Sequence, residues 1–238
     1  MDFKGKNILV VGGSSGIGLS LVQLLVTNGA NVYNVSRTAY PEWPEGINHL
    51  TLDVLGDAGA LSSFLPEQLH GLVYSVGSIN LKPFNRLTEE DFLNDYRVNV
   101  LGAVKIIQQA LKSLKAAQGA SIVLISSVAA RTGMSFHGSI SAAKGAVEGL
   151  ALSLAAELAT NHIRVNVIAP SLTDTSLARG LLNTPERKEA SNKRHPLGKY
   201  GSPEDISSAI AFLLADESNW MTGQVIDIDG GLGKLKTN

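Results

Sequence analysis

Cysteine is absent from all 238 residues. That excludes disulfides, thiolate catalysis and cysteine-ligated metal, and no metal site of another kind is expected. There is no basic block and no acidic tail, and the net charge is −1, which argues against nucleic acid or a membrane surface as the main partner. No apolar run approaches the length of a membrane span. The run inside "MDFKGKNILVVGG" is too short for a signal peptide, so the cytoplasm is the expected compartment. Internal repeats and linkers are lacking too. The chain therefore reads as one domain over 1–238, long enough to bury a single large core.

What the sequence does contain is an alternation of strands and helices. "NILVVG" (Asn7–Gly12) is a β-branched apolar run ending in glycine, the pattern of a buried strand. Gly16 to Asn28 has helical spacing, with Ile17, Leu21, Leu24 and Leu25 on one face and Gly29 closing it. Further strands are expected at "ANVYNVS", "HLTLDV", "GLVYSVG", "SIVLISS", "IRVNVIAP" and "QVIDIDGG". A long helix is expected from Glu89 to Ala117 behind an N-cap at Thr88. Another follows "SPED", with Ser202 as N-cap and Pro203 in the first helical position. The strands are unbroken apolar runs, so both sheet faces should be covered. The expected fold is α/β, a doubly wound parallel sheet of about seven strands. The least regular stretch, 171–201, lies beyond the sixth strand, where ligands bind in open parallel sheets, and is the expected substrate lid.

"GGSSGIG" (Gly12–Gly18) follows a strand and opens a helix. Glycines at Gly12, Gly16 and Gly18 allow a tight turn and a close backbone approach by a pyrophosphate. Ser14, Ser15 and Ile17 stand at the helix N-terminus, where free N–H groups and the positive dipole end favour an anion. A dinucleotide is the expected cofactor. An NAD site would want a carboxylate at the end of the second strand. From Asn31 to Tyr40 there is none, and Arg37 stands there beside Ser36. An arginine suits a 2′-phosphate, so NADP(H) is favoured, with NAD(H) still possible. Asp53, at the end of the third strand, could meet the adenine amino group or serve only as a turn residue.

With these residues in view, the chain resembles the short-chain dehydrogenase/reductase family over nearly its whole length. Val11 precedes the glycine turn where the family has threonine. Asp53-Val54 is similar to the family's adenine-contacting pair, and "YSVG" keeps only Gly77 of its N-N-A-G. The resemblance implies that Asn99, Ser127 and Lys144 are the asparagine, serine and lysine of a catalytic tetrad. It also places Pro170 beside the nicotinamide, followed by Ser171 in place of the usual glycine, and gives Thr175 a role in holding the carboxamide or pyrophosphate.

One tetrad member is missing. The family's tyrosine should stand four residues before Lys144 and thirteen after Ser127, and both counts reach Ile140. Isoleucine transfers no proton. His137 is seven residues before Lys144, the spacing of the tyrosine in the family's divergent branch. Positions seven apart share a helix face, and histidine donates protons near neutral pH. His137 is the expected replacement donor, the alternative being a loop histidine without a role.

The expected function is an NADP(H)-dependent oxidoreductase. It would pass hydride between the nicotinamide and a carbonyl/alcohol pair or an activated double bond, with an altered proton donor. The alternative is a dinucleotide-binding sensor or structural protein without turnover. The partners expected are a small-molecule substrate and further copies of the chain, as a homo-oligomer built as a dimer of dimers. The family's long helices pair across a two-fold axis, and "AAKGAVEGLALSLAAELA" is too uniformly small and apolar to face water.

Overall fold

The computed structural model describes residues 1–236. Seven strands form one parallel sheet: β1 (Asn7–Val11), β2 (Asn31–Ser36), β3 (Asn48–Thr51), β4 (Gly71–Tyr74), β5 (Ala120–Ile125), β6 (Ile163–Pro170) and β7 (Val225–Ile228). Their order across the sheet is β3-β2-β1-β4-β5-β6-β7. The order reverses between β1 and β4, and a crevice opens at such a point above the carboxyl ends of the strands. The expected fold class is the observed one.

Alternate residues of each strand feed two apolar layers. Leu9 and Val11 of β1 face a core closed by α4 (Gly102–Ala116) and α5 (Gly138–Leu158), through Ile106, Ala110, Leu114, Val147 and Ala151. Ile8 and Val10 face the other core, closed by α1 (Gly16–Thr27) and α7 (Pro203–Leu214) through Leu21, Leu25, Ile206 and Ile210. Ser202 caps α7 as expected, in a reciprocal box with Asp205. Among the described residues no helix is long and apolar enough to cross a membrane.

Three segments depart from the sequence expectation. A single turn, α2 (Leu61–Phe64), lies between β3 and β4. The long helix is not continuous. It begins as α3 (Glu89–Tyr96), capped by Thr88 and Asp91, and passes through a π-helical turn at Arg97–Leu101 before α4. The physical cause is on β4: the Tyr74 hydroxyl donates to the Val98 carbonyl at 2.6 Å. Gly102 is what admits the phenol, since a Cβ there would lie 2.1 Å from its oxygen. Such π turns occur often at functional sites, and this one holds Asn99. Lastly, the stretch expected to be irregular contains α6 (Pro185–Arg194), capped by Thr184 with Pro185 in its first turn.

Tyr74→Phe keeps the ring and removes the hydroxyl. It should lower stability by about 1–2 kcal/mol, read as a lower urea midpoint with an unchanged slope. An unaltered midpoint would mean that the phenol does not hold the π turn.

Candidate active site

The glycine turn lies over β1, and its glycines are forced by contact. A Cβ at Gly13 would lie 2.3 Å from Asn34 Oδ1, and one at Gly18 would lie 2.2 Å from the Gly12 carbonyl oxygen. Gly12 and Gly16 have φ of +92° and +52°. Asn34, buried on β2, accepts from the Gly13 N–H at 2.9 Å and so ties the turn to the sheet. Sequence reading missed Asn34, whose signal was a polar residue inside an apolar strand. Ser15 occupies the N-cap of α1, but its side chain caps nothing. The first-turn N–H groups of α1 are therefore left to an incoming anion, as a pyrophosphate requires.

Along the adenosine side, Ser36 turns inward. Its hydroxyl donates to the Thr38 carbonyl at 2.8 Å and accepts from Asn34 Nδ2 at 2.9 Å, which leaves it little capacity for a phosphate. Arg37, just beyond β2, is exposed, and among the described residues it forms no ion pair. Asp53 accepts from the Leu55 N–H at 2.9 Å and closes a turn. Val54 is buried against the fold beneath it.

The residues of the expected tetrad converge above β4 and β5. Lys144, 7% exposed, donates to the Ile125 carbonyl at 2.8 Å. Asn99 donates to the Asp95 carbonyl at 2.8 Å and to Ser78 Oγ at 3.0 Å. Gly77 joins the two: a Cβ on it would lie 3.3 Å from Asn99 Oδ1 and 3.4 Å from Lys144 Nζ. Ser127 begins the 3₁₀ turn Val128–Ala130, its oxygen accepting from the Ala129 N–H at 3.2 Å. The hydroxyl proton remains free to point elsewhere. Ile140 is buried, 6% exposed. His137 lies just outside α5, at its N-cap, with Nδ1 2.7 Å from the Ser135 carbonyl oxygen. The shared-face argument therefore reaches the edge of the helix rather than its interior. Among the described residues no hydrogen bond joins His137 to Lys144 or Ser127.

Pro170 ends β6, and Ser171 after it donates to His195 Nε2 at 2.9 Å, because His195 Nδ1 donates to the Ser191 carbonyl at 2.7 Å. Sequence reading passed over His195, which is buried by tertiary packing. Thr173 and Gly201 form a bridge that clasps the base of the segment between them. Thr175 reaches across to Gly16, whose notional Cβ would touch its side chain at 3.1 Å. A hollow of about 410 Å³ opens here, lined by Gly16, Thr175 and two cations not singled out from sequence, Arg179 and Lys188. A larger hollow, about 640 Å³, lies at the amino ends of the strands among Lys6, His70, Arg164 and Trp220. None of the expected site residues lines it.

Comparison with known proteins decides the family. Residues 58–233 match the family described as Enoyl-(Acyl carrier protein) reductase. A tropinone reductase homologue of Arabidopsis thaliana is 35% identical over 97% of this chain and 94% of its own. A short-chain type dehydrogenase/reductase from Mycobacterium ulcerans superposes with a TM-score of 0.90 at 29% identity, covering 98% of this chain and 91% of that one. A gluconate 5-dehydrogenase from Burkholderia cenocepacia, solved with NADP and tartrate, gives 0.91 at 25% identity, covering 99% and 98%. The chain is a short-chain dehydrogenase/reductase. As a member of that family it is an oxidoreductase, and the reading of a protein without turnover finds no support.

The electrostatics of this short-chain dehydrogenase/reductase centre on one cation. Burial lowers the Lys144 ammonium from its ordinary value to about 8, and Asp95 opposes the shift. Tyr74, the buried tyrosine nearby, is no substitute acid. Burial, with Asp53 adding to it, raises its phenol, and its proton is engaged with Val98.

A lysine whose folded value lies below its unfolded value opposes folding while it is protonated. The penalty is relieved as pH climbs from about 8 to the unfolded value. The wild-type protein should therefore gain stability relative to Lys144→Met between pH 7 and pH 10.5, by about 3 kcal/mol. Denaturant titrations of both proteins across that window check it. A constant difference would show that the ammonium is not shifted.

Proposed function

We propose that this protein is an NADP(H)-dependent oxidoreductase that transfers hydride between the nicotinamide and a carbonyl/alcohol pair or an activated double bond, with a proton donor other than tyrosine. The observation that carries this reading is the buried Lys144 ammonium set beside Asn99 and Gly77, at the switch point that the glycine turn also overlooks. The neighbour solved with NADP supports the same cofactor.

In this reading Ser14, Ser15, Gly16, Ile17 and Gly18 receive the pyrophosphate on backbone N–H groups, with Thr175 closing over it, while Gly12, whose N–H is held by the Val35 carbonyl at 2.7 Å, shapes the turn beneath. Arg37 pairs with the 2′-phosphate, while Ser36 serves the turn beneath it. Asp53 and Val54 border the adenine. Gly77 and Pro170 border the nicotinamide half, and Lys144 donates to its ribose hydroxyls. The cofactor, when bound, supplies or takes the hydride. The chain's own residues then manage the substrate oxygen. Ser127 donates a hydrogen bond to it, Asn99 keeps the floor of the site in register, and His137 delivers the proton as charge develops. The segment 171–201 closes over the substrate and excludes water. The chain assembles as a homo-oligomer. Leu152 on α5 is 63% exposed, with Gly149 open beside it, and Leu93, Tyr96 and Leu101 are exposed across the π turn. A closed two-fold contact would cover such faces.

Fluorescence titration should show NADPH binding more tightly than NADH. Arg37→Ala should abolish most of the preference, a loss of roughly 1.5–3 kcal/mol for a charge-assisted contact. Equal affinity for the two cofactors in the unmodified protein would remove the NADP(H) assignment.

His137→Ala should bind NADPH as the parent does and reduce carbonyl substrates more slowly, by roughly 10²-fold or more. Ile140→Tyr should raise the rate if the pocket admits a phenol. Undiminished turnover in His137→Ala would exclude it as the donor.

A further inference from the structure

Asp95 sits on α3 one turn before Asn99, among residues that face water. Glu89, Glu90 and Asn94 are all exposed, whereas Asp95 is 3% exposed. A carboxylate taken out of water is costly unless donors or a positive charge meet it. One of its oxygens is met, since Ser78 Oγ donates to Oδ1 at 2.6 Å. The other, Oδ2, is buried with no partner. Asn99 repeats the pattern. Its Nδ2 protons go to the Asp95 carbonyl and to Ser78, and its Oδ1 is buried with no partner. Two buried acceptors thus lack donors in the same small region.

The donor at hand is Lys144. Its ammonium makes a hydrogen bond to Ile125, and two of its N–H groups have no partner among the described residues. Asp95 is the charge that acts to keep it protonated. The other charged groups within a turn or two of Lys144 and Asp95 have partners of their own. Glu148, one turn beyond Lys144, is held by Ser126 and Arg131. Arg131 continues to Asp227, which also meets Lys234. Asp91, one turn before Asp95, is held by Lys82, Asn80 and Thr88. His137, at the start of α5, lies against the Ser135 carbonyl. Among the described residues of this region, Asp95 is the carboxylate without a salt bridge and Lys144 the cation without one.

We propose that Asp95 is a positioning residue of the active site: clamped by Ser78, its carboxylate is the counter-charge that keeps Lys144 an ammonium beside Gly77. The proposal rests on the reading above in one respect, that Lys144 donates to the cofactor's ribose. A neutral amine there would offer a lone pair in place of a positive charge. It would also lose the field that favours negative charge on the substrate oxygen. Burial alone pushes the lysine toward that neutral state, and the buried aspartate opposes it.

Two measurements separate this proposal from the cofactor reading. The first follows the Lys144 side-chain ¹⁵N signal with pH in cofactor-free protein, assigned by its loss in Lys144→Met. In Asp95→Asn the titration midpoint should fall by about one pH unit or more. The second is NADPH affinity. Asp95→Asn should match the parent at pH 6 within about twofold and bind about fivefold more weakly at pH 8, the ratio of protonated fractions that one unit of midpoint shift implies there. An unmoved midpoint overturns the proposal, and so does an affinity loss equal at both pH values, which is what a packing role would give. If the midpoint moves but NADPH does not bind to the parent, the pairing stands and the cofactor reading falls. If Asp95→Asn fails to fold, Asp95→Asn combined with Lys144→Met decides. Recovery of folding when both charges are gone supports the pair, and failure of the double variant overturns it.

Discussion

Lys144 holds an ammonium out of water at the carboxyl edge of the sheet, against the Ile125 carbonyl, and much of the surrounding structure answers to that charge. Burying a cation in a low-dielectric interior is unfavourable by several kcal/mol before partners are counted. The carbonyl at the end of β5, the carboxylate of Asp95 and the close approach of Gly77 are the local response. Each comes from a different part of the chain, and each reaches Lys144 only because the parallel sheet brings the ends of β4 and β5 side by side with α3 and α5. The helix would form without Lys144. The site would not.

The π turn shows how a sheet residue sets up a helix residue. Regular helix through 97–101 would rotate everything after it by part of a turn. The Tyr74 hydroxyl, by taking the Val98 carbonyl, stabilises the wider turn that leaves Asn99 facing the lysine and Ile106 and Ala110 facing the core. Gly102 is the matching vacancy. One phenol and one missing Cβ thus connect the packing of β4 to the geometry of the active site.

Most of the architecture was legible because it depends on local pattern. The apolar runs gave the strands, and Thr88, and Ser202 followed by Pro203, gave two helix starts. What stayed hidden depends on contacts distant in sequence. "FLNDYRVNV" reads as one helix, because nothing in it announces the tyrosine twenty-odd residues earlier. The helix Pro185–Arg194 lacks an apolar stripe and so reads as irregular, although Thr184 and Pro185 mark its start. In the site, the glycine turn stood out by its spacing between strand and helix, while Ser127 and Lys144 were implied by the family resemblance. Asp95 did not, since an aspartate on a polar helix face looks solvated until the fold buries it. His195 was missed for the same reason, and Arg179 because only the fold brings its exposed side chain to the hollow beside Gly16.

The clasp between Thr173 and Gly201 has a consequence for how this scaffold can change. It closes the intervening segment at its root, with Gly201 N–H donating to Leu172 and Asp174 N–H donating to Gly201. Beyond that root the chain is an insert on a finished frame. Closing a longer insert is cheap, roughly 0.6 kcal/mol for each doubling of length. The lysine, the π turn and the glycine turn all lie outside it. Past Thr175, which stays tied to the glycine turn, recognition can therefore drift in length and composition as far as Gly201 while the reactive centre keeps its geometry, so that variation in what is bound is uncoupled from the machinery that acts on it.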